Sequence, residues 1–445
     1  MLSQQNNEIL TRVGPGTPMG NLLRRFWIPA LLEEQIKEPE GAPIKLRLLG
    51  EDLVAFRNTS GKVGIVEAYC AHRRAPMCLG RNEEDGIRCV YHGWKYDLEG
   101  NCVDLPAAGD KDSLKERIRI TAYPTREHGG VIWVYMGPRD KMPELPDFEW
   151  TRLPKMQRTA TKRLQRCNWA QVVEGGIDSA HVSFLHRSTN TEPTIKAQGS
   201  TEKSTVQEST PDKYLMNDRR PVFDSKEVEY GLAISARRNA NEESYYWRIN
   251  QFLVPFWTII PPHLSNQFMD SSRSSYYGHI YVPIDDENTW NWSFTGSPYA
   301  EYSQEEWEFQ AGKLGYWGPV DDNYHPLLSQ ENNYLLDLHK QKTASYTGID
   351  GIPNQDAAVQ EGMGAIVDRT KEHLVASDRG VALFRRLMLR LAMELMEGKE
   401  PAAASNPKIF DVRAVTCVLP TSVDIWDGAK HLFHGTEPGN PPPRN

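Results

Sequence analysis

The first third of the chain carries short apolar stretches separated by turn signals. Residues 44–48 alternate apolar and basic side chains, the period of two expected of a strand with one buried face. Asn-Thr-Ser-Gly at 58–61 predicts a hairpin turn. A further apolar run at 130–136 is stopped by Gly-Pro, and a proline-rich stretch follows at 142–146. The pattern predicts a small all-β domain that ends in a linker.

Beyond the linker the pattern mixes strands with helices. Four runs predict strands whose spacing indicates one antiparallel sheet: 227–237, 244–260, 275–282 and 288–295. A helix is predicted at 378–398, with Ser377 as its N-cap. Its apolar residues fall at helical spacing and predict a face turned to the core: Phe384, Leu387, Met388, Leu391 and Leu395. The fold class is therefore α+β.

At 445 residues the chain is too long for one ordinary core. We divide it into an N-terminal helical segment at 1–28, an all-β domain at 29–140 and a larger domain at 141–445. We expect the N-terminal segment to pack on the larger domain. The proline-rich tail at 438–445 is either an arm that wraps a neighbouring subunit or a loose end.

Composition excludes several classes of protein. A net charge of -8 argues against a nucleic-acid binder. Runs of eighteen apolar residues are absent, and the N-terminus lacks the basic and apolar regions of a signal peptide. The six cysteines show no framework spacing, which is typical of a reduced compartment. We expect a cytoplasmic enzyme without nucleic-acid or membrane partners.

Two Cys-plus-His pairs form the first candidate site. Cys70 and His72 are followed, sixteen residues later, by Cys89 and His92. A Cys2His2 zinc finger would place its two cysteines together and then its two histidines. The mixed order fits a Rieske [2Fe–2S] centre, in which two cysteines hold one iron and two histidines the other. A structural zinc knuckle, or four unrelated buried residues, are the alternatives.

The stretch 168–186 holds the second candidate site. We predict a helix here, and His181 and His186 would then lie about 140° apart on it. Both can bind one metal only if the helix ends or bulges between them, and Gly175-Gly176 weakens it. Asp178 and His181 share a face, so the carboxylate can hold the imidazole ring. Two histidines and one carboxylate form the facial triad of non-heme iron(II) oxygenases.

Both motifs resemble those of Rieske-type aromatic ring-hydroxylating oxygenases. The second loop continues as Tyr-His-Gly-Trp-Lys-Tyr at 91–96, and 168–186 matches Asn-Trp, then Glu, then Asp-x-x-His-x4-His. The resemblance is to the phthalate dioxygenase branch and covers nearly the whole chain, from the Leu-Thr-Arg-Val-Gly-Pro-Gly-Thr-Pro-Met-Gly segment at 10–20. It implies a terminal oxygenase alpha subunit with a Rieske domain and a helix-grip catalytic domain. Its cofactors would be a [2Fe–2S] cluster and a mononuclear Fe(II), and it would assemble as a trimer or stacked hexamer.

The resemblance also implies roles for single residues. It makes His181 and His186 ligands of the mononuclear iron. The third ligand would be an aspartate in the segment 354–360, which predicts Asp356, with Asp368 and Asp378 as alternatives. In the family, the aspartate three residues before the first iron histidine bridges subunits. Here that residue is Asp178, which would contact His181 of its own chain and His92 of the neighbouring subunit.

The partners implied are O2, an aromatic acid and an electron-donating reductase. The chain has no Gly-x-Gly-x-x-Gly loop, so electrons from NAD(P)H would arrive through a separate protein that carries flavin and an iron–sulfur cluster.

Three residues are predicted to bind substrate: Arg248, Val182 and Phe252. An inward-facing Arg248 would need an anion, and a substrate carboxylate could supply it; a surface or salt-bridged arginine is the alternative. Val182 is apolar where some phthalate-hydroxylating relatives have a small polar residue, which leaves room for a larger or less charged aromatic acid. Phe252 is expected in the pocket wall, as are three residues of the same region: Phe256, Trp257 and Ile259.

Three functions are compatible with these motifs. The first is dioxygenation of an aromatic carboxylate, as in a phthalate 4,5-dioxygenase. The second is a monooxygenase of the same family that removes a methyl group from an aryl ether. The third is a Rieske electron carrier without catalysis, which would not need His181, His186 and a carboxylate.

Overall fold

The computed structural model describes these parts of the chain: 2–106, 112–187, 214–215, 217–262, 271 and 274–434. The predicted tail at 438–445 lies outside the described residues. Eleven strands precede residue 136: β1 (Trp27–Leu32), β2 (Ile44–Leu48), β3 (Glu51–Arg57), β4 (Val63–Glu67), β5 (Arg81–Glu83), β6 (Gly86–Arg88), β7 (Lys95–Tyr96), β8 (Cys102–Asp104), β9 (Ala122–Tyr123), β10 (Thr125–His128) and β11 (Val131–Tyr135).

These eleven strands form three small antiparallel sheets. Their orders are β1-β11-β10, β2-β3-β4-β9 and β5-β6-β7-β8. The first Cys/His pair lies in the loop that leads from β4 towards β5, and the second lies between β6 and β7. The two loops that the sequence singled out therefore belong to an all-β part of the chain.

The second part of the chain is built on one eight-stranded antiparallel sheet. Its strands are β12 (Arg158–Gln165), β13 (Val222–Val228), β14 (Gly231–Asn239), β15 (Ser244–Leu253), β16 (Trp257–Ile260), β17 (Tyr276–Pro283), β18 (Thr289–Gly296) and β19 (Val415–Pro420). Seven of them follow the order β12-β18-β17-β16-β15-β14-β13, and β19 pairs with β15 beside β16.

Ten α-helices complete the described fold. They are α1 (Gln4–Thr11), α2 (Pro18–Leu23), α3 (Asp112–Lys115), α4 (Glu149–Arg152), α5 (Trp169–Ile177), α6 (Gln304–Ala311), α7 (Leu338–Thr343), α8 (Ile352–Gly362), α9 (Arg379–Met396) and α10 (Ile425–Gly428). Helix α5 packs on β16 and β17, and α9 packs on β13, β14 and α5. The N-terminal helices α1 and α2 contact α9.

Several predicted elements differ from the observed ones. The single strand predicted at 227–237 is two strands, β13 and β14, joined by a turn just before Gly231. The strand predicted at 244–260 is interrupted at 254–256, because Pro255 has no N–H to donate to a neighbouring strand. Strands β12 and β19 were not predicted. The helix predicted at 168–186 ends at Ile177 instead.

One hydrophobic core joins the two parts of the chain. Trp257 lies in it, with its ring centroid 5.5 Å from that of Trp133 on β11 and 4.1 Å from that of Phe148. Phe256 and Ile259 belong to the same core. Phe252 is also fully buried, with its ring edge-on to Phe384 of α9 at 5.0 Å. These four residues lie in the hydrophobic core between the eight-stranded sheet and the elements packed on it. Their place in the wall of a substrate pocket stays a prediction.

Candidate metal centres and active site

The two Cys/His loops are closed in the same way. In the first, the Cys70 N–H donates to the Ala75 carbonyl and the Arg74 N–H donates back to Cys70, both at 2.9 Å. In the second, the Cys89 N–H donates to Trp94 at 2.8 Å and the Gly93 N–H donates to Cys89 at 3.0 Å. Gly93 has φ +76°, a conformation that favours glycine. The chain thus presents each pair from a tight turn of similar shape.

The cysteines point inwards and the histidines outwards. Cys70 and Cys89 are buried, whereas His72 is exposed, and the rings of His72 and His92 lie edge to face at 4.5 Å. The Tyr96 hydroxyl lies 3.2 Å from Cys70 Sγ. Burial, offset in part by hydrogen bonds, raises the pKa of the Cys70 thiol. Two thiols at the base and two imidazoles at the rim are the donor set of a Rieske cluster. In such a cluster the two cysteines bind one iron and the two histidines bind the other.

Apolar side chains surround the exposed imidazoles. His72 stacks on Trp94, with ring centroids 4.5 Å apart. Val90 is 57% exposed and Tyr91 55%, and Leu79 is 65% exposed nearby in the chain. Large exposed apolar groups grouped at one tip mark an interaction surface. We call Leu79, Val90 and Tyr91 the cluster rim.

Helix α5 brings the second site into place by close packing rather than by a break. A Cβ on Gly176 would lie 2.1 Å from the Tyr281 hydroxyl, and one on Gly175 would lie 2.1 Å from Gln360 Nε2. The two glycines therefore let β17 and α8 approach the helix. The helix ends at Ile177, and His181 begins a separate 3₁₀ turn, His181–Ser183. The helix therefore ends before both histidines, and the 3₁₀ turn that begins at His181 ends before His186, so the two are not held about 140° apart on one helix.

The structure brings His181, His186 and Asp356 together. Their candidate ligand atoms all lie within 4.8 Å of one another. His181 Nε2 is 3.1 Å from His186 Nε2, and Asp356 Oδ1 is 3.7 Å and 3.4 Å from these two nitrogens. The alternative third ligands lie elsewhere, since Asp368 is 3.1 Å from Lys371 and Asp378 accepts from the Val375 N–H.

The far nitrogen of each imidazole has its own acceptor. His181 Nδ1 lies 3.3 Å from Asp178 Oδ2, and His186 Nδ1 lies 2.8 Å from Gln355 Oε1. Sequence reasoning predicted Asp178 but missed Gln355. The only signal for it was its place next to Asp356 in Asn354-Gln355-Asp356.

Charge and burial shift the pKa values of His181 and Asp356. Burial by itself lowers the pKa of His181, but the hydrogen bond to Asp178 and the charges of Asp356 and Asp178 outweigh it, so the pKa is raised. Burial acts to raise the pKa of Asp356, yet the hydrogen bond to His186 and the charges of the histidines lower it overall. The carboxylate is therefore held ionised in a half-buried position.

The donor set fits a divalent metal. If Nδ1 carries the only proton of each imidazole, as metal binding through Nε2 needs, the hydrogen bond between His186 and Asp356 is given up, and the two Nε2 atoms and Asp356 Oδ1 turn three lone pairs towards one another. A cation resolves this arrangement, and two histidines with one carboxylate suit ferrous iron and leave positions open.

The face of the eight-stranded sheet beside His181, His186 and Asp356 carries several polar side chains. Arg248 on β15 is only 4% exposed, and its Nη2 donates to the Pro261 carbonyl at 3.0 Å. Asn250, two residues along β15 and therefore on the same face, donates to the Gly176 carbonyl of α5 at 3.3 Å, so Arg248 lies on the α5 side of the sheet. Val182 packs instead on Leu215 and Tyr246. Register places Tyr277, His279 and Tyr281 of β17 along the same face as Arg248.

His279 is a further residue on this face that the sequence did not reveal. Its Nδ1 lies 3.1 Å from Ser293 Oγ, and its ring is edge-on to Trp317 at 5.0 Å. Burial lowers its pKa to about 4, so the ring is neutral at physiological pH. It adds a hydrogen-bonding group to a largely aromatic wall.

Comparison with protein families assigns both parts of the chain. Residues 26–124 match the Rieske [2Fe-2S] domain, and residues 134–435 match the domain described as "LigXa C-terminal domain like". None of the helices in the described ranges is long and apolar enough to cross a membrane.

Three characterised relatives are similar over most of their length. The oxygenase subunit of phthalate 4,5-dioxygenase from Pseudomonas putida is 37% identical, covering 96% of this chain and 94% of that protein. The oxygenase subunit of 3-chlorobenzoate-3,4-dioxygenase from Comamonas testosteroni is 35% identical, covering 96% and 98%. That of 5,5'-dehydrodivanillate O-demethylase from Sphingobium sp. is 33% identical, covering 91% and 83%.

Solved structures share the fold at low sequence identity. NdmA of Pseudomonas putida CBB5 matches with a TM-score of 0.58 and 17% identity, covering 92% of this chain and 99% of that one. Dicamba monooxygenase bound to 3,6 dichlorosalicylic acid matches with a TM-score of 0.56 and 14% identity, covering 84% and 99%.

Proposed function

Because this chain belongs to the Rieske non-heme iron oxygenases, as the oxygenase subunit of a multicomponent system, we propose that it hydroxylates an aromatic carboxylate with O2. The observation that carries the proposal is the convergence of His181, His186 and Asp356 beside the buried Arg248. The first three residues would hold a mononuclear iron. Cys70, His72, Cys89 and His92 would hold the [2Fe–2S] cluster.

When bound, the cluster stores one electron and the mononuclear ferrous ion activates dioxygen. The protein side chains position these groups and the substrate. His181 and His186 present Nε2 lone pairs because Asp178 and Gln355 accept from Nδ1. Arg248 offers a guanidinium for a carboxylate, and a low-dielectric surrounding strengthens that charge-assisted contact. His279, Tyr277 and Tyr281 would face the ring of the substrate and exclude water.

The assembly that we propose is a homotrimer, or two stacked trimers, in which each cluster serves the neighbouring catalytic site. A second exposed apolar group supports it. Phe184 is 45% exposed between the two iron-ligand candidates, and it meets Tyr346, 49% exposed, edge-on at 6.3 Å. This patch and the cluster rim are two different exposed patches of one chain. A contact between unlike patches joins copies head to tail, and it gives a closed ring when the rotation from copy to copy closes.

Electrons would come from NAD(P)H through a separate reductase. None of the six cysteines, which all lie in the described parts of the chain, forms a disulfide, and this supports a place in the reducing cytoplasm.

O-demethylation is the second candidate. A relative named as an O-demethylase subunit is 33% identical over 91% of this chain, close to the identity of the two dioxygenase subunits.

The test is substrate-dependent consumption of NADH and O2 by the reconstituted system over a panel of aryl carboxylates, with and without methoxy groups. Release of formaldehyde would establish O-demethylation, and a cis-diol would establish ring dioxygenation. Consumption that never depends on any aryl carboxylate would contradict the proposed substrate class.

A further inference from the structure

Gln355 touches one iron-ligand candidate and directly precedes another in helix α8. Its Oε1 lies 2.8 Å from His186 Nδ1, and its Nε2 donates to the Ile349 carbonyl at 2.9 Å. Because the amide nitrogen already has an acceptor, the oxygen is the atom that faces the imidazole. An amide oxygen only accepts hydrogen bonds, so Nδ1 must carry the proton and Nε2 must present a lone pair.

We propose that Gln355 is a positioning residue that fixes the tautomer and ring orientation of His186 for metal binding. It does for His186 what Asp178 does for His181, with a neutral amide in place of a carboxylate. The inference rests on the proposed function in one respect, since it takes His186 as a metal ligand. Gln355 itself stays out of contact with the metal and acts through the imidazole.

The start of α8 is anchored so that Gln355 can hold a fixed position. The buried Arg163 donates from Nη1 to Asn354 Oδ1 at 3.0 Å, and Asn354 Nδ2 donates to the Asp350 carbonyl at 2.9 Å. Asn354, Gln355 and Asp356 therefore have three consecutive tasks. The first anchors the helix, the second orients a histidine, and the third offers a carboxylate to the same centre.

Charge explains why an amide suits this position. Asp178 and Asp356 already place two negative charges around the candidate metal position, and these balance the two positive charges of a ferrous ion. A third carboxylate next to His186 would add a buried charge, and Gln355 is only 8% exposed. The amide supplies the acceptor without that charge.

The experiment compares Gln355→Leu, which removes the acceptor, with Gln355→Glu, which keeps it. Gln360→Leu is the matched control, because Gln360 is equally buried on the same helix and contacts Gln165 rather than His186. Each protein is stripped of mononuclear iron with its cluster left intact. Cobalt(II) is then titrated in and followed by its visible absorbance, with the cluster absorbance as a check on folding.

We expect Gln355→Leu to bind cobalt about 10–100-fold more weakly than the parent, the usual cost of removing such an outer hydrogen bond. Gln355→Glu should bind at least as tightly, since it accepts the same proton and adds negative charge. Gln360→Leu should bind like the parent. Parent-like binding by Gln355→Leu, or equal weakening in the control, would overturn the inference. A parent that binds no cobalt would instead contradict the metal site of the proposed function, and this inference with it.

Discussion

At the scale of single residues, the mononuclear site shows how neighbouring groups decide which atom of a side chain is available. Both histidines turn Nε2 towards Asp356 because their Nδ1 atoms are engaged by Asp178 and Gln355. The resemblance to a known family predicted which residues are the ligands, whereas the orientation of His186 depends on Gln355, which lies 169 positions away in the chain.

Arg248 is predicted to bind the substrate carboxylate. Arg248→Ala should raise KM for an aryl carboxylate far more than for a neutral analogue, because a charge-assisted hydrogen bond contributes roughly 1.5–3 kcal/mol. Steady-state kinetics on the matched pair of substrates measures the difference. Arg237→Ala is the control, since Arg237 lies on the neighbouring strand over Tyr245. An equal effect of Arg248→Ala on both substrates would remove the carboxylate role.

Asp178 is predicted to carry the electron path between subunits. Its Oδ1 accepts from the Ala180 N–H at 2.6 Å and its Oδ2 faces His181, so an amide could replace only part of its bonding. Asp178→Asn should fold, hold both metals and have its cluster reduced normally. In a single turnover with substrate and O2, the reduced cluster should then stay reduced. Re-oxidation at the parent rate would make Asp178 a structural residue.

At the scale of elements, helix α5 connects the sheet, the N-terminal helices and the catalytic histidine segment. Glu174 on α5 accepts hydrogen bonds from Arg369 at 3.1 Å and from Arg385 at 2.8 Å. Arg369 also donates to Asn7 Oδ1 of α1. Burial would raise the pKa of Glu174, but the charges and hydrogen bonds of the two arginines lower it below its ordinary value. The helix is thus tied to distant parts of the chain by one carboxylate.

Glu174→Gln should destabilise the fold at neutral pH by about 3–5 kcal/mol, since it leaves the buried Arg369 without its anion and Arg385 with Glu372 alone. The parent should also lose stability in acid. Because the folded pKa is the lower one, the unfolded chain takes up the proton first. The stabilisation is therefore present above about pH 4.5 and is lost as the pH falls through the folded value.

Denaturation midpoints in urea, measured from pH 7 downwards, should show the parent and Glu174→Gln converging in acid. Glu331→Gln serves as the control, because Glu331 pairs with Arg166 on the surface and should leave the midpoint nearly unchanged at every pH. A constant gap between parent and Glu174→Gln across the range would contradict the assigned role of this carboxylate.

Gly176 is predicted to set the distance between α5 and β17. Gly176→Ala should cost about 1–3 kcal/mol, because its Cβ would meet the Tyr281 hydroxyl and push the helix away. Turnover should fall as well, since Asp178 follows directly on this helix. Gly362→Ala on α8 is the control, as a Cβ there meets nothing within 4 Å. Melting temperatures and turnover rates are measured for both variants. A loss in Gly176→Ala without a loss in Gly362→Ala would show that the contact with Tyr281, and not alanine in a helix, is the cause.

At the scale of the whole molecule, the cluster and the mononuclear site belong to two parts that share one core. Backbone contacts also join them, since the Leu49 and Gly50 N–H groups donate to Pro283 and Ile284 at 3.0 Å and 2.8 Å. Such a connection holds both parts in one orientation. The cluster rim and the Phe184–Tyr346 patch are then presented at fixed positions for a neighbouring copy.

Mixed assemblies should test electron transfer between subunits. Cys89→Ser removes a cluster ligand and His186→Ala removes a mononuclear ligand, so each variant alone should be inactive. When the two chains carry different tags and are produced together, assemblies purified through both tags should recover part of the parent activity. Iron analysis and the Rieske absorbance confirm that each variant lost only one centre. Inactive mixed assemblies with intact centres would place electron transfer within a single chain.

The residue types and spacings of the sequence by themselves determined which chemistry this protein carries. The paired Cys/His loops, the Asp-x-x-His-x4-His segment and the α+β pattern all follow from local order, because a tight loop or a helix turn spans only a few residues. The same local reasoning placed α9 within one or two residues of its observed bounds.

Only the tertiary structure decided what lies beside these motifs. It showed that Gly175 and Gly176 serve close packing rather than a break, that Trp257 lies in the shared core, and that Gln355 faces His186. Strand β12 escaped prediction because its polar residues are largely buried; Lys162, for example, lies over the ring of Trp292 at 5.1 Å from its centroid. These features come from contacts between distant segments, and the spacing of residues along a chain does not record such contacts.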